Sequence, residues 1–492
     1  MRRRRVPTVV FLLVAGCARL ERSALWDPDA HAPPAVATPW TPPEPMDHYM
    51  PPRAEALASA ALVPDPEHVH DLVDLIDLAE RANPDTRRAW EEARAAAARL
   101  GRVESRYLPV VALAAVGGWQ REVKPTPEGT EIIQGSLAQP TVDLTWLLVD
   151  FGRREADRES ARQELVASSF AFNRRHQEVA FAVERSFYAF DASRAEVLAT
   201  EATLRAADAI LEASVARRQA GLATEPEVLL ARQQQAEAAF ELERARGLVE
   251  DAHAALAEAV GIPPTVPLRV SDLAAQPLPG ALAETVESVI DGALANRPDL
   301  AARLATLRAR EAEIRRARAE FFPRIGVTGE VGGVFRDYRA GRPFSSHTMD
   351  QPIYTAFLGV EWKLFDGWER ENALREARAQ AGVARADLAA LELRALREIW
   401  KAYADVKTAL RKYEYATALL RASEDAYAST MDSYRAGVGT FLDLLAAQRE
   451  LARARTTVVT SRADLLTSSA ALAFAAGQMP PMNVADAPAG GR

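Results

Sequence analysis

Two closely spaced histidines, His68 and His70, come nearest in type and spacing to a metal site. Imidazole nitrogens bind zinc, but a protein site needs further cysteine, histidine or carboxylate ligands at suitable spacing. No such partner is evident along the sequence, so we interpret the two histidines as a solvated pair and predict no metal site and no cofactor. The chain also contains no phosphate-binding glycine loop, zinc-helix signature or nucleophile elbow. We therefore do not expect an enzyme.

The single cysteine, Cys17, has an informative position near the start of the chain. A cluster of arginines and a short apolar stretch precede it, and that stretch has the length of a signal peptide. The sequence LVAGC at 13–17 resembles a bacterial lipobox, which implies cleavage before the cysteine and a lipid on its thiol. The alternative is an ordinary signal peptide with an incidental cysteine. We predict a signal peptide at 1–16, lipidation of Cys17 and a proline-rich tether at 17–66.

The remaining chain contains a long internal repeat. The segment GLATEPEVLLARQQ at 221–234 returns as GVGTFLDLLAAQRE at 437–450, 216 positions later. Asp150 and Asp366 are separated by the same offset. A repeat of this length indicates one structural half made twice. We predict repeats at 67–270 and 271–480, each with an opening helix, two strands and a long helical hairpin, and a flexible tail at 481–492.

Long helices account for most of each repeat. A helical pattern starts at about Val69 and Leu282 and closes before a proline, and a second pattern continues for nearly seventy residues after Gly152 and Gly367. Small and apolar residues recur in the longer pattern at alternating steps of four and three, which is typical of closely packed coiled coils. Shorter helices return at 225–260 and 441–476.

Four segments alternate between apolar and polar residues with a period of two, which predicts β-strands. They are 108–119, 139–150, 323–335 and 353–365. The pattern fits membrane strands with lipid on one face and water on the other, but a half-buried strand of a soluble sheet alternates in the same way. Membrane strands cannot leave open edges, and four strands cannot close a barrel, so several chains would have to share one. Three chains would supply twelve strands around an open pore, and we expect a trimer.

The charge of the chain argues against one class of partner. The net charge is −8 at pH 7, and no basic face emerges from the pattern of charges. We therefore do not expect a nucleic-acid partner.

With these features in this order, residues 70–480 resemble the TolC family of outer-membrane efflux proteins, in its lipid-anchored branch. The resemblance depends on the repeated Asn-Pro opening, the sequence LFDGWER at 364–370, the turn YRAGVGTFLDLLAAQRE at 434–450, and the lipobox. It implies a mainly α fold in which duplicated coiled-coil hairpins form an α-barrel tunnel in the periplasm. Each chain would add four strands to a trimeric, twelve-stranded β-barrel in the outer-membrane lipid.

The resemblance also implies the function of a passive exit duct for efflux or type I secretion, working with a periplasmic adaptor and an inner-membrane pump. The alternative is a lipid-anchored periplasmic coiled-coil adaptor or scaffold. An adaptor would carry small β-rich domains beside a single hairpin, whereas this chain duplicates the hairpin.

In the family, the turns between the long and returning helices dock with the adaptor. The matching residues are Gly221, Leu222, Ala223 and Thr224 in the first repeat and Gly437, Val438, Gly439 and Thr440 in the second. Glycine can carry the backbone through such a turn and threonine can cap the next helix. Any helical hairpin needs such residues, so a purely structural role remains the alternative.

Two acidic residues follow these turns. Asp443 matches an aspartate that narrows the pore in the family, and Glu227 holds the corresponding position in the first repeat, but a second family aspartate is replaced by Ala446. A ring of such carboxylates would form a periplasmic gate that favours cations. Alternatively, they are first-turn acids that the helix dipole favours.

Three tryptophans, Trp119, Trp146 and Trp362, are predicted at strand ends, where an aromatic girdle at the membrane interface is expected. Packing in a protein interior is the alternative for these side chains.

Overall fold

The computed structural model describes residues 67–127, 129–272, 278, 285–340 and 345–478. They all belong to one compact unit, 62–492. The predicted signal peptide, Cys17, the tether at 17–66 and the tail at 481–492 lie outside the described residues.

The described elements repeat in order. Those of the first half are β1 (Val69–His70), α1 (Leu72–Ala82), α2 (Pro84–Glu104), β2 (Val110–Thr126), β3 (Gly129–Val149), α3 (Arg153–Gln219) and α4 (Glu225–Val260). Those of the second half are β4 (Arg269–Val270), α5 (Val286–Asn296), α6 (Pro298–Ala319), β5 (Arg324–Ala340), β6 (Ser345–Glu361), α7 (Glu369–Arg435) and α8 (Phe441–Ala475). The fold is mainly helical, as predicted.

Each opening helix is broken in two, which corrects the prediction of one continuous helix per repeat. Asn83 and Arg297 have extended backbones, and a proline follows each at the first position of the next helix. Proline fits the first turn but cannot continue a helix, and it disfavours helical backbone in the residue before it. The structure therefore places Arg297, not Asn296, in the position equivalent to Asn83.

The four long strands form one antiparallel sheet in the order β2-β3-β5-β6. Strands β2 and β5 each contain 17 residues and β3 contains 21, so they exceed the predicted lengths. Most of 120–138 and 336–352, which lie between the predicted strands, continues the two β-hairpins. The alternation becomes irregular there because both faces carry polar residues. Strands β2 and β6 are the sheet edges, so closure requires other chains.

A buried ion pair fixes the corner between strand and long helix in each repeat. The Arg154 guanidinium lies 2.9 Å from the Asp150 carboxylate and also donates to the carbonyl oxygens of Leu147 and Leu148. Arg370 and Asp366 repeat the pair at 2.6 Å. Such bonds satisfy strand-end carbonyls that would otherwise lack partners. The two aspartates were identified from the sequence as equivalent positions of the repeat, whereas the arginines four residues later were not.

The two long helices, α3 and α7, contain 67 residues each and are about 100 Å long at 1.5 Å per residue. The predicted four-and-three spacing of small and apolar residues is found in α7, where Ala402, Val406, Ala409, Ala416, Ser423 and Tyr434 are among the buried positions. In α3 the corresponding buried positions end at Ser214, because Arg218, the next position of the pattern, is exposed. None of the described helices combines the length and apolar composition needed to cross a membrane.

Candidate functional site

Both turns between long and returning helices, which we call the first tip (221–224) and the second tip (437–440), have the same backbone. Gly221 and Gly437 have φ values of 76° and 77°, in the left-handed region that favours glycine. The next amide donates back five residues in each case, from Leu222 to Arg217 and from Val438 to Ser433. This closing pattern ends a helix in an unstrained way.

The tips expose apolar side chains at matching positions. Leu222 is 67% exposed and Val438 is 83% exposed. Neither side chain belongs to the apolar cluster beneath the tips, whose buried members are Ile210, Ala231, Met431, Tyr434, Phe441, Leu444 and Leu445. The fold therefore does not require these two side chains to be apolar.

The predicted caps and acids lie together at the start of each returning helix. The Thr440 hydroxyl accepts a hydrogen bond from the Asp443 amide at 3.2 Å and donates to the Asp443 carboxylate at 2.6 Å. In the first repeat, the Thr224 hydroxyl donates to Glu227 at 3.1 Å, and the Thr224 amide donates to the same oxygen at 3.4 Å. Both acids thus complete helix N-termini while remaining at the surface of the chain.

A contact between the two hairpins involves a residue that the sequence analysis missed. Arg217 lies one turn before the first tip, and its Nη1 atom donates to the carbonyl oxygen of Tyr434 at 2.9 Å. Its guanidinium also lies 4.6 Å from the centroid of the Tyr434 ring. The second repeat has Ser433 at the corresponding position, so the bridge exists once per chain. This break in the repeat was the available sequence signal.

Farther from the tips, a polar cavity lies between α3, α4 and α8, and residues of all three helices line it. Gln448 is 2% exposed, and both of its side-chain polar atoms lack a hydrogen-bond partner among the described residues. Gln234 accepts from Arg449 at 3.1 Å, and Glu196 accepts from Thr456 at 3.1 Å. Buried amides without protein partners are usually satisfied by ordered water.

In the sheet, one face carries a limited apolar band. Strand register places the side chains of this face in all four strands at the same levels, and the band consists of Leu113, Ala115, Val142, Leu144, Val327, Val331, Phe335, Tyr354, Ala356 and Leu358. The opposite face carries Thr141, Asp143, Thr145, Thr328 and Glu330, together with the exposed apolar residues Val110, Val116 and Phe357. Asp350 pairs with Phe335 at the edge of the band, and Arg121 and Asp337 lie farther along the same face.

The three predicted tryptophans bound this band. Trp146 lies near the end of β3 and Trp362 just after β6, and their Nε1 atoms donate to the carbonyl oxygens of Tyr107 and Phe321 at 3.0 and 3.1 Å. Trp119 lies inside β2 rather than at a strand end, which corrects the prediction. It pairs with Ser136, ten residues from Trp146 along β3. That is about 33 Å of strand, or about 25 Å of height at the usual tilt of membrane strands.

At the start of the described chain, His68 and His70 lie beside a carboxylate that the sequence analysis did not find. The ligand atoms of His68, His70 and Asp74 all lie within 4.8 Å of one another. Asp74 is four residues after His70, in the first turn of α1.

A sheet with an apolar band on one face, joined to paired helical hairpins about 100 Å long, fits a subunit of an outer-membrane channel with a helical tunnel. The chain belongs to the outer membrane efflux protein family, whose model matches residues 75–262 and 289–478. These two matched blocks correspond to the two halves of the described fold.

Curated relatives agree with this assignment. The chain is 28% identical over 420 residues to Protein CyaE of Bordetella pertussis, which covers 83% of this chain and 84% of the relative. It is also 28% identical over 399 residues to Outer membrane protein OprJ of Pseudomonas aeruginosa, with 77% and 78% covered.

Solved structures share the fold. The outer-membrane channel OprN superimposes with a TM-score of 0.73 at 23% identity, over 86% of this chain and 95% of that one. VceC of Vibrio cholerae gives a TM-score of 0.70 at 20% identity, over 82% and 96%.

The predicted family, fold class and outer-membrane localisation are thereby confirmed, and the lipid anchor at Cys17 stays a prediction. The protein is an outer-membrane channel component of efflux or type I secretion systems, and it works as a homotrimer with a periplasmic adaptor and an inner-membrane pump. The alternative of a periplasmic adaptor or scaffold is set aside, because the family match covers both repeats. The family is one of transport proteins.

Proposed function

We propose that the chain is a passive duct with no catalytic role, and that its two tips dock with the adaptor. The observation that carries the docking proposal is the exposure of Leu222 and Val438 at matching positions of both tips. Exposure of apolar side chains to water is unfavourable, so their burial against a partner would stabilise a complex. An apolar helical tip on the adaptor is the partner that this chemistry fits.

We also propose that the tips form the periplasmic gate. The Arg217–Tyr434 bridge holds the two hairpins of one chain together close to the tips. Three copies of Asp443 and Glu227 around the trimer axis would add a ring of negative charge. Their roles as helix caps are compatible with this, because a capping carboxylate keeps its charge. Engagement of the adaptor would open the duct by separating the hairpins.

Trp119, Trp146 and Trp362 act in this proposal as the two aromatic girdles of the membrane barrel. Their spacing supports the idea, since a band about 25 Å high is typical of outer-membrane barrels. The strands beyond Trp119 then project outside the membrane, where polar residues on both faces are solvated. Cys17, outside the described residues, would anchor the chain by its lipid to the periplasmic leaflet.

The names of two relatives bear on which cargo the duct could carry. Relatives include the pyoverdine export outer membrane protein OpmQ of Pseudomonas putida and the alkaline protease secretion protein AprF of Pseudomonas aeruginosa. One fold therefore serves both a small molecule and a protein by name. We propose that the pump and adaptor choose the cargo and that the duct is permissive.

Docking is tested by placing a charge at each tip. The double variant Leu222→Asp and Val438→Asp is expressed in cells that lack the native chain. We expect it to assemble as a trimer but not to support export. A photo-crosslinking residue at position 438 should capture an adaptor in the native background and not beside Leu222→Asp. The matched control is Leu222→Met with Val438→Ile, which keeps the tips apolar. Full export by the charged variant would remove the docking role from the tips.

A further inference from the structure

The chain contains a three-residue cluster with the composition of a transition-metal site, at the point where the tether meets the folded body. One ligand atom from each of His68, His70 and Asp74 lies within 4.8 Å of the other two. The cluster is separate from the hairpin tips, because α1 packs against the middle of α3, near Val183 and Phe187, about 50 Å along that helix from the first tip. It takes no part in the proposed docking or gating.

Local structure brings these side chains together. Successive side chains of an extended strand point to opposite sides, so His68 and His70 share a side of the segment around β1. Strand β1 is held in place by parallel pairing with β4, where His70 lies opposite Val270. The chain then turns into α1, which Asp71 caps by accepting from the Asp74 amide at 2.8 Å. The third residue of that first turn is Asp74.

The state of His70 distinguishes the cluster from an ordinary surface ion pair. His68 and Asp74 are partly exposed and 3.1 Å apart, which a solvated ion pair explains by itself. His70, in contrast, is 8% exposed, and its Nε2 atom is buried without a hydrogen-bond partner among the described residues. A buried ring nitrogen without a partner has lost its hydrogen bonds to water, so a bound ligand would restore a missing interaction.

The geometry requires little movement to accept an ion. Bonds of about 2.0–2.2 Å to a tetrahedral metal place its ligands about 3.4 Å apart. The His68–Asp74 separation of 3.1 Å already meets this, and the rings of His68 and His70 have centroids 4.7 Å apart. A side-chain rotation that brings the most distant ligand atom about 1.4 Å closer, from 4.8 Å to about 3.4 Å, would allow all three side chains to bind one ion. Solvent beside the exposed His68 would supply a water as the fourth.

We propose that His68, His70 and Asp74 bind one divalent transition-metal ion of the zinc type in each chain. Two imidazoles and one carboxylate favour such ions over Mg²⁺ and Ca²⁺, which prefer oxygen ligands. The ion fastens the segment around β1 to the first turn of α1 and, through β1–β4 pairing, to the segment between the repeats. It is a structural clamp at the start of the described chain.

Zinc binding to the full-length, detergent-purified trimer, prepared without a histidine tag, tests the proposal. Isothermal titration should give one ion per chain, and cobalt in place of zinc should give the visible absorption of a low-symmetry site. Asp74→Asn keeps an acceptor for the helix cap, and His68→Ala removes an exposed side chain, so both should fold. Each should weaken binding by about 10–100-fold or more, given that outer-shell partners alone have effects of this size.

The matched control is His253→Ala, since His253 is outside the cluster and its ring lies 5.9 Å from that of Phe190. It should bind zinc as the native chain does. His31 and His48 of the tether are a further source of imidazole, so His31→Ala with His48→Ala should also leave binding intact. Absence of saturable binding to the native trimer would overturn the proposal. So would binding that survives Asp74→Asn and His70→Ala but disappears with the tether histidines.

Discussion

Arg217 of the first hairpin donates a hydrogen bond of 2.9 Å to the main-chain oxygen of Tyr434, the residue three positions before the turn of the second hairpin. The Tyr434 ring is 2% exposed and lies beneath the guanidinium. The acceptor is one of the last carbonyls of α7, which carry partial negative charge, and it also accepts from the Gly437 amide at 3.1 Å. A single side chain thus joins the ends of the two hairpins.

Replacement of Arg217 by Ala is expected to increase the conductance of the trimer in planar bilayers. A charged hydrogen bond contributes about 1.5–3 kcal/mol, so its loss should raise the open population by about tenfold or more if the bridge restrains the tips. Arg218→Ala is the control, because Arg218 pairs with Glu225 inside one hairpin. Equal conductance in the Arg217 variant, the control and the native protein would show that the bridge does not restrain opening.

Asp443→Asn combined with Glu227→Gln should reduce the preference for cations while stability stays unchanged. Both amides keep an oxygen that can accept from the threonine caps, so the helix N-termini are preserved, but the ring of charge is removed. The reversal potential in a KCl gradient measures the effect and should move toward zero. Glu225→Gln removes a first-turn charge outside the proposed ring and serves as the control. An unchanged reversal potential in the double variant would leave the two acids as caps only.

Gly437→Ala should destabilise the second tip. The backbone of Gly437 has φ of 77°, and a Cβ there would meet no neighbour within 4 Å, so the penalty is conformational and of about 1–2 kcal/mol. Gly382→Ala is the matched control, since Gly382 is inside α7 and also has open space at its Cβ. That change should stabilise the helix by about 0.5–1 kcal/mol. The midpoints of thermal unfolding of the two variant trimers should therefore shift in opposite directions. A shift in the same direction would contradict the left-handed backbone conformation of Gly437.

Single-tryptophan variants should locate the membrane. Chains that retain only Trp119, Trp146 or Trp362 are expected to show fluorescence quenching by phospholipids brominated near the headgroup, because interfacial aromatic residues lie at that depth. A chain that retains only Trp400, which is 60% exposed on α7, should not be quenched. If Trp119 behaved as Trp400 does, the apolar band would end lower than we place it.

Glu184→Gln should stabilise the protein at neutral pH. Burial raises the pKa of the Glu184 carboxyl above its ordinary value of 4.5, although a hydrogen bond from Tyr188 lowers it in part. The folded state therefore holds this proton more tightly, and stability falls as pH rises from about 4.5 through the raised pKa.

The glutamine variant lacks this penalty, so its midpoint of thermal unfolding should exceed that of the native trimer at pH 7. The difference should disappear below the ordinary carboxyl pKa, where Glu184 is protonated in both states. Glu212→Gln, an exposed change on the same helix, is the control. A difference that persisted at low pH would assign the effect to packing.

Much of the fold could be predicted because it depends on local periodicity. The offset between Gly221 and Gly437, the period-two alternation around Val142, and the spacing of small residues around Ala409 each report a face that must be buried or exposed. These patterns predicted the hairpins, the sheet and the need for a trimer. Local patterns did not predict every element boundary, since the break before Pro84 and the continuation of β2 past Trp119 were both missed.

The sequence by itself thus determined the duplication, the element types and the residues at the tips, because each follows from neighbours along the chain. Only the tertiary structure decided which distant groups meet. The partner of Arg217 is 217 residues away, and the level of Trp119 against Trp146 depends on strand register. Asp74 reaches His70 only because a strand ends and a helix starts between them. Such contacts arise from how elements turn and pack, and no periodicity along the chain encodes them.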